Sequence, residues 1–290
     1  MSAQIHELGY REYEGERAGT GWAMLSLGLH AVQRVLGLKR AARHKVLPAI
    51  VILVAFVPAI VFVGLAVLLP SELTDVQGDY GEYYFTIVLV IALFTAFVAP
   101  EAICTDRRTG MLALYLASPL NRTTYVVSKV AAVSATMLAV TLLPQLFLLL
   151  GYTIVGEGPD GLVDGVETFG RLLISGVLIA VYFASLSAMV SSFTPRRSIA
   201  STIITMSLLI PISISGVLIE QADVDDRLSL ISIPFVPIRA AFYLLGEQID
   251  SGDSGIEQVA GSLALLTTVG LIVIWSAITW WRYQKIKVDR

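Results

Sequence analysis

The chain is 290 residues long, 56% hydrophobic and only 15% charged, whereas an average soluble domain carries roughly a quarter charged residues. So few charges cannot coat a globule of this size, which excludes an ordinary soluble protein and requires lipid to solvate much of the surface. A single cysteine, Cys104, excludes an internal disulfide and any CxxC metal or redox site, and the net charge of -3 matters less than where the charges fall.

Residues 1–20, rich in Glu, Gly and Arg, read as a mobile or partner-dependent arm. Trp22, Leu25, Leu29, Val32 and Leu36 then recur at helical spacing, with Arg34, Lys39, Arg40, Arg43 and Lys45 gathered toward the end. This pattern predicts an amphipathic helix lying in the cytoplasmic headgroup plane, where anionic lipid attracts the cations. A helix packed on the protein's own cytoplasmic loops is the other reading. The first 45 residues are polar or amphipathic and carry no cleavable signal pattern. The three histidines, His6, His30 and His44, lie in this arm without a second ligand cluster, so no metal site is expected.

Beyond the arm, six charge-free apolar stretches are long enough to cross about 30 Å of hydrocarbon, which takes roughly 20 residues. They cover 46–69, 83–100, 130–156, 172–195, 198–219 and 258–281. The fold class is therefore an all-α polytopic membrane protein, with an arm at 1–45, a transmembrane domain at 46–281 and a basic tail at 282–290. Pro58, Pro144 and Pro211 fall inside spans one, three and five as candidate kinks. Span four carries Gly176, Ala180, Ala184 and Ala188, and span three Ala131, Ala135 and Ala139, small-residue stripes that let helices pack closely on a neighbour or a second subunit. A seventh apolar patch at 228–246 is interrupted by Pro234, Pro237 and Arg239, too short and broken to span; it reads as a re-entrant or extracellular hairpin before span six.

Orientation follows from the basic residues, because Lys and Arg are retained in the cytoplasm. Seventeen of the 20 fall in the arm, the loop between spans two and three, the Arg196-Arg197 turn and the tail, while the other side keeps Arg171, Arg227 and Arg239 among sixteen acids. Both termini are thus expected in the cytoplasm. None of the six stretches contains Asp, Glu, Lys, Arg or His, which removes the titratable groups a proton-driven carrier or an intramembrane enzyme needs. A sodium site of backbone carbonyls and hydroxyls stays open, since Ser185, Ser187, Ser201, Thr202, Thr205, Ser207, Ser213 and Ser215 crowd spans four and five, although such hydroxyls commonly bond their own helix. No GxxxxGK[ST] phosphate loop occurs, nor any Gly-Lys pair, so the chain has no recognisable means of its own to bind ATP.

The loop 101–129, EAICTDRRTGMLALYLASPLNRTTYVVSK, carries the functional signal. Glu101 leads to Arg107 and Arg108, then Thr109 and Gly110, then a short apolar helix at 111–117 ended by Ser118 and Pro119; Asn121 caps the next helix, with Arg122 and Lys129 at the membrane border. An apolar helix between two spans either packs under the bundle or fills a partner's groove. The loop resembles that of the membrane subunit of ABC-2 family ATP-binding-cassette transporters, on Glu101, Arg107, Arg108, Gly110, the apolar run from Met111 and Leu112 through Leu114 and Tyr115 to Leu116, Ser118, Pro119 and Lys129; the Thr109-Gly110 order departs from the family's usual Gly-Thr. The six-span plan, the amphipathic helix and the broken patch before span six extend the likeness over nearly the whole chain.

That resemblance implies a permease of the plasma membrane, an exporter rather than an enzyme, that dimerises with itself or a sibling and is powered by separate ATP-binding-cassette ATPase subunits. The loop helix would be the coupling helix. ATP and Mg would sit on the partner, with no cofactor bound by this chain and no nucleic-acid partner. From the residues alone, a non-transporting scaffold or assembly subunit and an ion-coupled carrier stay open; an ATPase brought down on purification distinguishes the permease from the scaffold.

Overall fold

A computed structural model describes residue 15 and residues 19–38, 41–68, 79–222, 226–249 and 256–286. The arm 1–20, apart from residues 15, 19 and 20, and the tail from 287 onward lie outside the described residues. The described chain is helical, with no strand. The helices are α1 (Thr20–Val35), α2 (Arg43–Leu68), α3 (Tyr80–Thr86), α4 (Val88–Phe97), α5 (Glu101–Arg108), α6 (Met111–Leu116), α7 (Arg122–Thr141), α8 (Leu143–Val155), α9 (Gly161–Phe193), α10 (Arg197–Ala222), α11 (Val236–Leu245) and α12 (Gly261–Lys285).

Six helical stretches are long and apolar enough to cross a membrane: Lys45–Leu68, Val88–Arg108, Arg122–Val155, Gly161–Phe193, Arg197–Ile214 and Gly261–Lys285. Each overlaps one of the six expected apolar stretches, with span two running on to Arg108 and span four beginning at Gly161, and two of the spans are compound. Span two is α4 continued into α5 past a break at Pro100, so the polar turn with Asp106, Arg107 and Arg108 belongs to it rather than to a loop. Span three breaks at Leu142, and Pro144 stands in the first turn of α8, where its missing N–H and its ring disrupt the preceding turn. Pro58 and Pro211, by contrast, lie within continuous helices.

α9 is the central post. Its 33 residues make a rod roughly 50 Å long, packed on α7, α11 and α12. Gly176, Ala180, Ala184 and Ala188 are all buried inside the subunit. At Gly176 a methyl would come 3.2 Å from both a Leu142 methyl and the Tyr84 hydroxyl, and Thr141 Oγ1 donates to the Gly176 carbonyl at 3.1 Å, so this stripe seats α9 on span three. Several of the span four and five hydroxyls return to their own helix: buried Ser185 donates to the carbonyl of Tyr182, half-buried Ser207 to Ile204, and exposed Thr202 and Ser213 to Ser198 and Leu209. By contrast, α2, α10 and α12 bury only 22% of their apolar stretches and present the rest to lipid or a second subunit.

One end of the bundle is acidic. Residues 226–245 form a 3-10 turn, Asp226–Ile231, and then α11, whose Val236, Ile238, Ala241 and Phe242 are buried against α9, α12 and α3. The Gly246 turn (φ +80°) delivers Glu247 to the start of α3, where its carboxylate accepts from the amides of Gly81 (2.6 Å) and Tyr80 (3.2 Å). Only glycine fits at 81: a methyl there would lie 2.6 Å from the Phe242 ring. Arg171 closes the same corner, donating to the Leu245 carbonyl at 2.6 Å.

Candidate functional site

At the opposite, basic end three arginines share one role. Helices arriving there expose C-terminal carbonyls and the negative end of their dipole. Arg197 donates to Phe97 O at the end of α4, Arg107 to Ser192 O at the end of α9, and Arg122 to the carbonyls of Gln284 and Tyr283 at the end of α12. Glu101, half-buried, pairs with Arg197 (Oε2 to Nη1, 3.1 Å). Glu101 and Arg107 are therefore occupied in joining span two to α10 and α9, whereas Arg108 is exposed.

The α5 to α6 turn needs Gly110, whose φ is +70°, a conformation that costs other L-residues energy. The turn sets α6 against the bundle with two faces. Leu112 is buried, and so is Leu120 just beyond the helix; Met111 and Tyr115 are half-buried; Leu114 is 63% exposed, with Ala113 and Ala117 beside it in solvent. The next helix starts where the sequence places it. The Asn121 side chain accepts from the Thr124 amide at 2.8 Å while Thr124 Oγ1 accepts from the Asn121 amide at 2.9 Å, a reciprocal cap.

The helix before span one also has two faces. Leu27, Ala31 and Val35 are buried against α7 and α5, while Trp22, Leu25 and Leu29 are exposed and Val32 and Leu36 half-buried. Arg34 departs from the expected headgroup cluster. It turns inward and pairs with Asp106 of α5.

Asp106 is the residue that sequence reasoning missed. It is fully buried, and so, at 2% exposure, is Lys129, which the sequence had placed at the membrane border. One carboxylate oxygen takes Arg34; the other takes Lys129 Nζ at 2.6 Å and the Tyr125 hydroxyl at 3.0 Å. Lys129 Nζ also lies 5.6 Å from the Tyr115 ring and 5.7 Å from the Tyr125 ring. Burial works against the charged Arg34 guanidinium, but Asp106 and then Tyr115 outweigh it and hold its pKa above the ordinary value. Burial and the Asp106 charge likewise raise the Tyr115 phenol, which keeps its proton. The available signal was that Asp106 is the sole acid between Glu101 and Lys129; its partner Arg34, 72 positions earlier, had none.

A family model described as "ABC-2 family transporter protein" matches residues 67–280. The chain belongs to the ABC-2 transporter family. The match runs from the end of α2 to the last turns of α12, so it includes α5, α6 and Asp106, and leaves α1 with Arg34 outside. No curated protein matches the chain. As an ABC-2 family membrane protein with six candidate spans, this chain is the transmembrane part of a transporter, a permease, and not its catalytic part.

Proposed function

We propose that this ABC-2 protein is the permease of an ATP-driven exporter in the plasma membrane. In this reading both termini are cytoplasmic, two permease subunits form the pathway, and separate ATPase subunits holding ATP and Mg dock on α6. The observation that carries the reading is the division of α6. Leu112 and Tyr115 brace it on the subunit while Leu114 stands 63% exposed between exposed alanines, a small apolar ridge suited to a groove on a partner. The separation of basic from acidic ends supports the orientation.

Leu114→Asp tests it. In the free subunit this side chain is already largely in water, so the substitution leaves unfolding within about 0.5 kcal/mol of wild type. In a docked groove the new carboxylate loses water without gaining a partner, which costs about 2–4 kcal/mol, or a roughly 30- to 1,000-fold loss of affinity. The expected result is a stable, inserted permease that no longer retains the ATPase. Full retention by stable Leu114→Asp refutes the docking role; loss of the fold itself favours a scaffold in which this loop packs on the bundle. Tyr115 faces Asp106 and Lys129, so its substitution reads the bracing and not the docking face.

A further inference from the structure

Docking on the outer face of α6 leaves the inner face unexplained, and there one carboxylate collects partners from several elements. Asp106 sits in the last full turn of α5. It holds Arg34 from α1 and Lys129 and Tyr125 from α7, and Arg34 and Lys129 both meet Tyr115 of α6. One anion thus faces two cations, with Asp106 and Lys129 buried and Arg34 partly exposed at the edge. A buried charge pair of this kind gives position more than stability, because each bond holds only when all the elements keep their places. Without Asp106 the Arg34 and Lys129 charges would repel, and the ion pair between Arg34 and α5 would be lost, leaving only the apolar packing of α1 on α5 and α7.

We propose that Asp106 is a positioning residue that makes the pre-span helix α1, the loop helix α6 and the start of span three move as one body. A displacement of α6 is then delivered to α1 and α7 instead of being absorbed at the Gly110 turn. The proposal deepens the reading of α6 as the ATPase-docking helix, but its test requires no ATPase.

The experiment uses the full chain in lipid nanodiscs with Cys104→Ser, and spin labels at Ser26→Cys on α1 and Ala113→Cys on α6, both exposed positions. The distribution of distances between them is read by electron paramagnetic resonance. The parent gives one narrow distribution. Asp106→Asn and Arg34→Gln broaden it by roughly a factor of two or more, and Asp106→Glu recovers it. Asp106→Asn combined with Lys129→Met removes the excess buried charge and recovers thermal stability, yet stays broad because the Arg34 ion pair from α1 to α5 is still missing. That split separates positioning from a merely structural role. A folded Arg34→Gln or Asp106→Asn protein as narrow as the parent overturns the proposal, and so does a double variant that recovers both stability and narrowness, since the carboxylate would then only balance charge. If Asp106→Asn does not fold, Arg34→Gln and the double variant decide. Narrow distributions in variants that still retain an ATPase refute the clamp and spare the docking reading; broad distributions in the variants of a narrow parent that captures no ATPase do the reverse.

Discussion

Glu247 makes the acidic end of the bundle respond to pH, with a sign set by its surroundings. Burial between α3, α9 and α11 disfavours the carboxylate, and Asp79 adds to this, while the Gly81 and Tyr80 amides and Arg171 favour it; the result is a pKa pushed up from 4.5 to about 7. A folded-state pKa above the unfolded one means that the folded protein holds this proton more tightly. Stability is therefore greatest below about pH 4.5, falls as pH rises to about 7, and is level above it. At ~1.36 kcal/mol per unit, ionised Glu247 costs the folded state about 3 kcal/mol, of which about 2.5 kcal/mol is expressed between pH 5 and pH 8. Glu247→Gln removes the titration. Thermal unfolding of both proteins in detergent at pH 5, 6, 7 and 8 should show wild type losing roughly 3–4 °C relative to the variant across the range. Parallel curves, or wild type gaining on the variant as pH rises, would refute the burial argument.

The two faces of α1 separate in a pair of substitutions. Leu27→Glu, which forces a charge between α1 and α7, should lower thermal stability by about 3 kcal/mol or more, whereas Leu29→Glu should leave stability within about 0.5 kcal/mol and change only the depth at which a fluorophore on Ser26→Cys is quenched by lipid-borne quenchers. Equal effects on stability would show that α1 is not docked as described. Orientation is read in intact cells with an impermeant thiol reagent. Asp160→Cys at the acidic end should label at once, and Ala113→Cys beside Leu114 only after the membrane is opened; the reverse pattern inverts the topology. Cys104 gives a silent background in either case, since it is 1% exposed.

What was legible in the sequence was local. Spans show as uninterrupted apolar length, the Asn121 cap lies within four residues of its partner, and the stripe Trp22, Leu25, Leu29 follows from helical period alone. The hydrophobic pattern of α1 was nonetheless half the story. Leu27, Ala31 and Val35 form a second apolar face at the same spacing, and period alone cannot say which of two faces meets protein and which meets lipid. Prolines behaved by context as well: Pro144 breaks its span where α7 meets α8, while Pro58 and Pro211 are absorbed into continuous helices. The Asp106 cluster was beyond local reasoning because a buried ion pair depends on the tertiary approach of distant elements. Basic residues at that end carried a second meaning too. They report sidedness, and Arg107, Arg122 and Arg197 also seal the ends of three helices.

The length of α9 has a mechanical side. A rod of 33 residues, roughly 50 Å against a hydrocarbon layer of about 30 Å, is gripped near one tip by Arg107 on Ser192 and carries Arg171 about two-thirds of the way to the other. Pivoting it by about 5° at the gripped end would swing the far tip by ~4 Å and Arg171 by ~3 Å, comparable to the 2.6 Å hydrogen bond from Arg171 to Leu245. Such a lever would carry a small shift beside Arg107 to the opposite surface without any helix having to bend or unwind along the way.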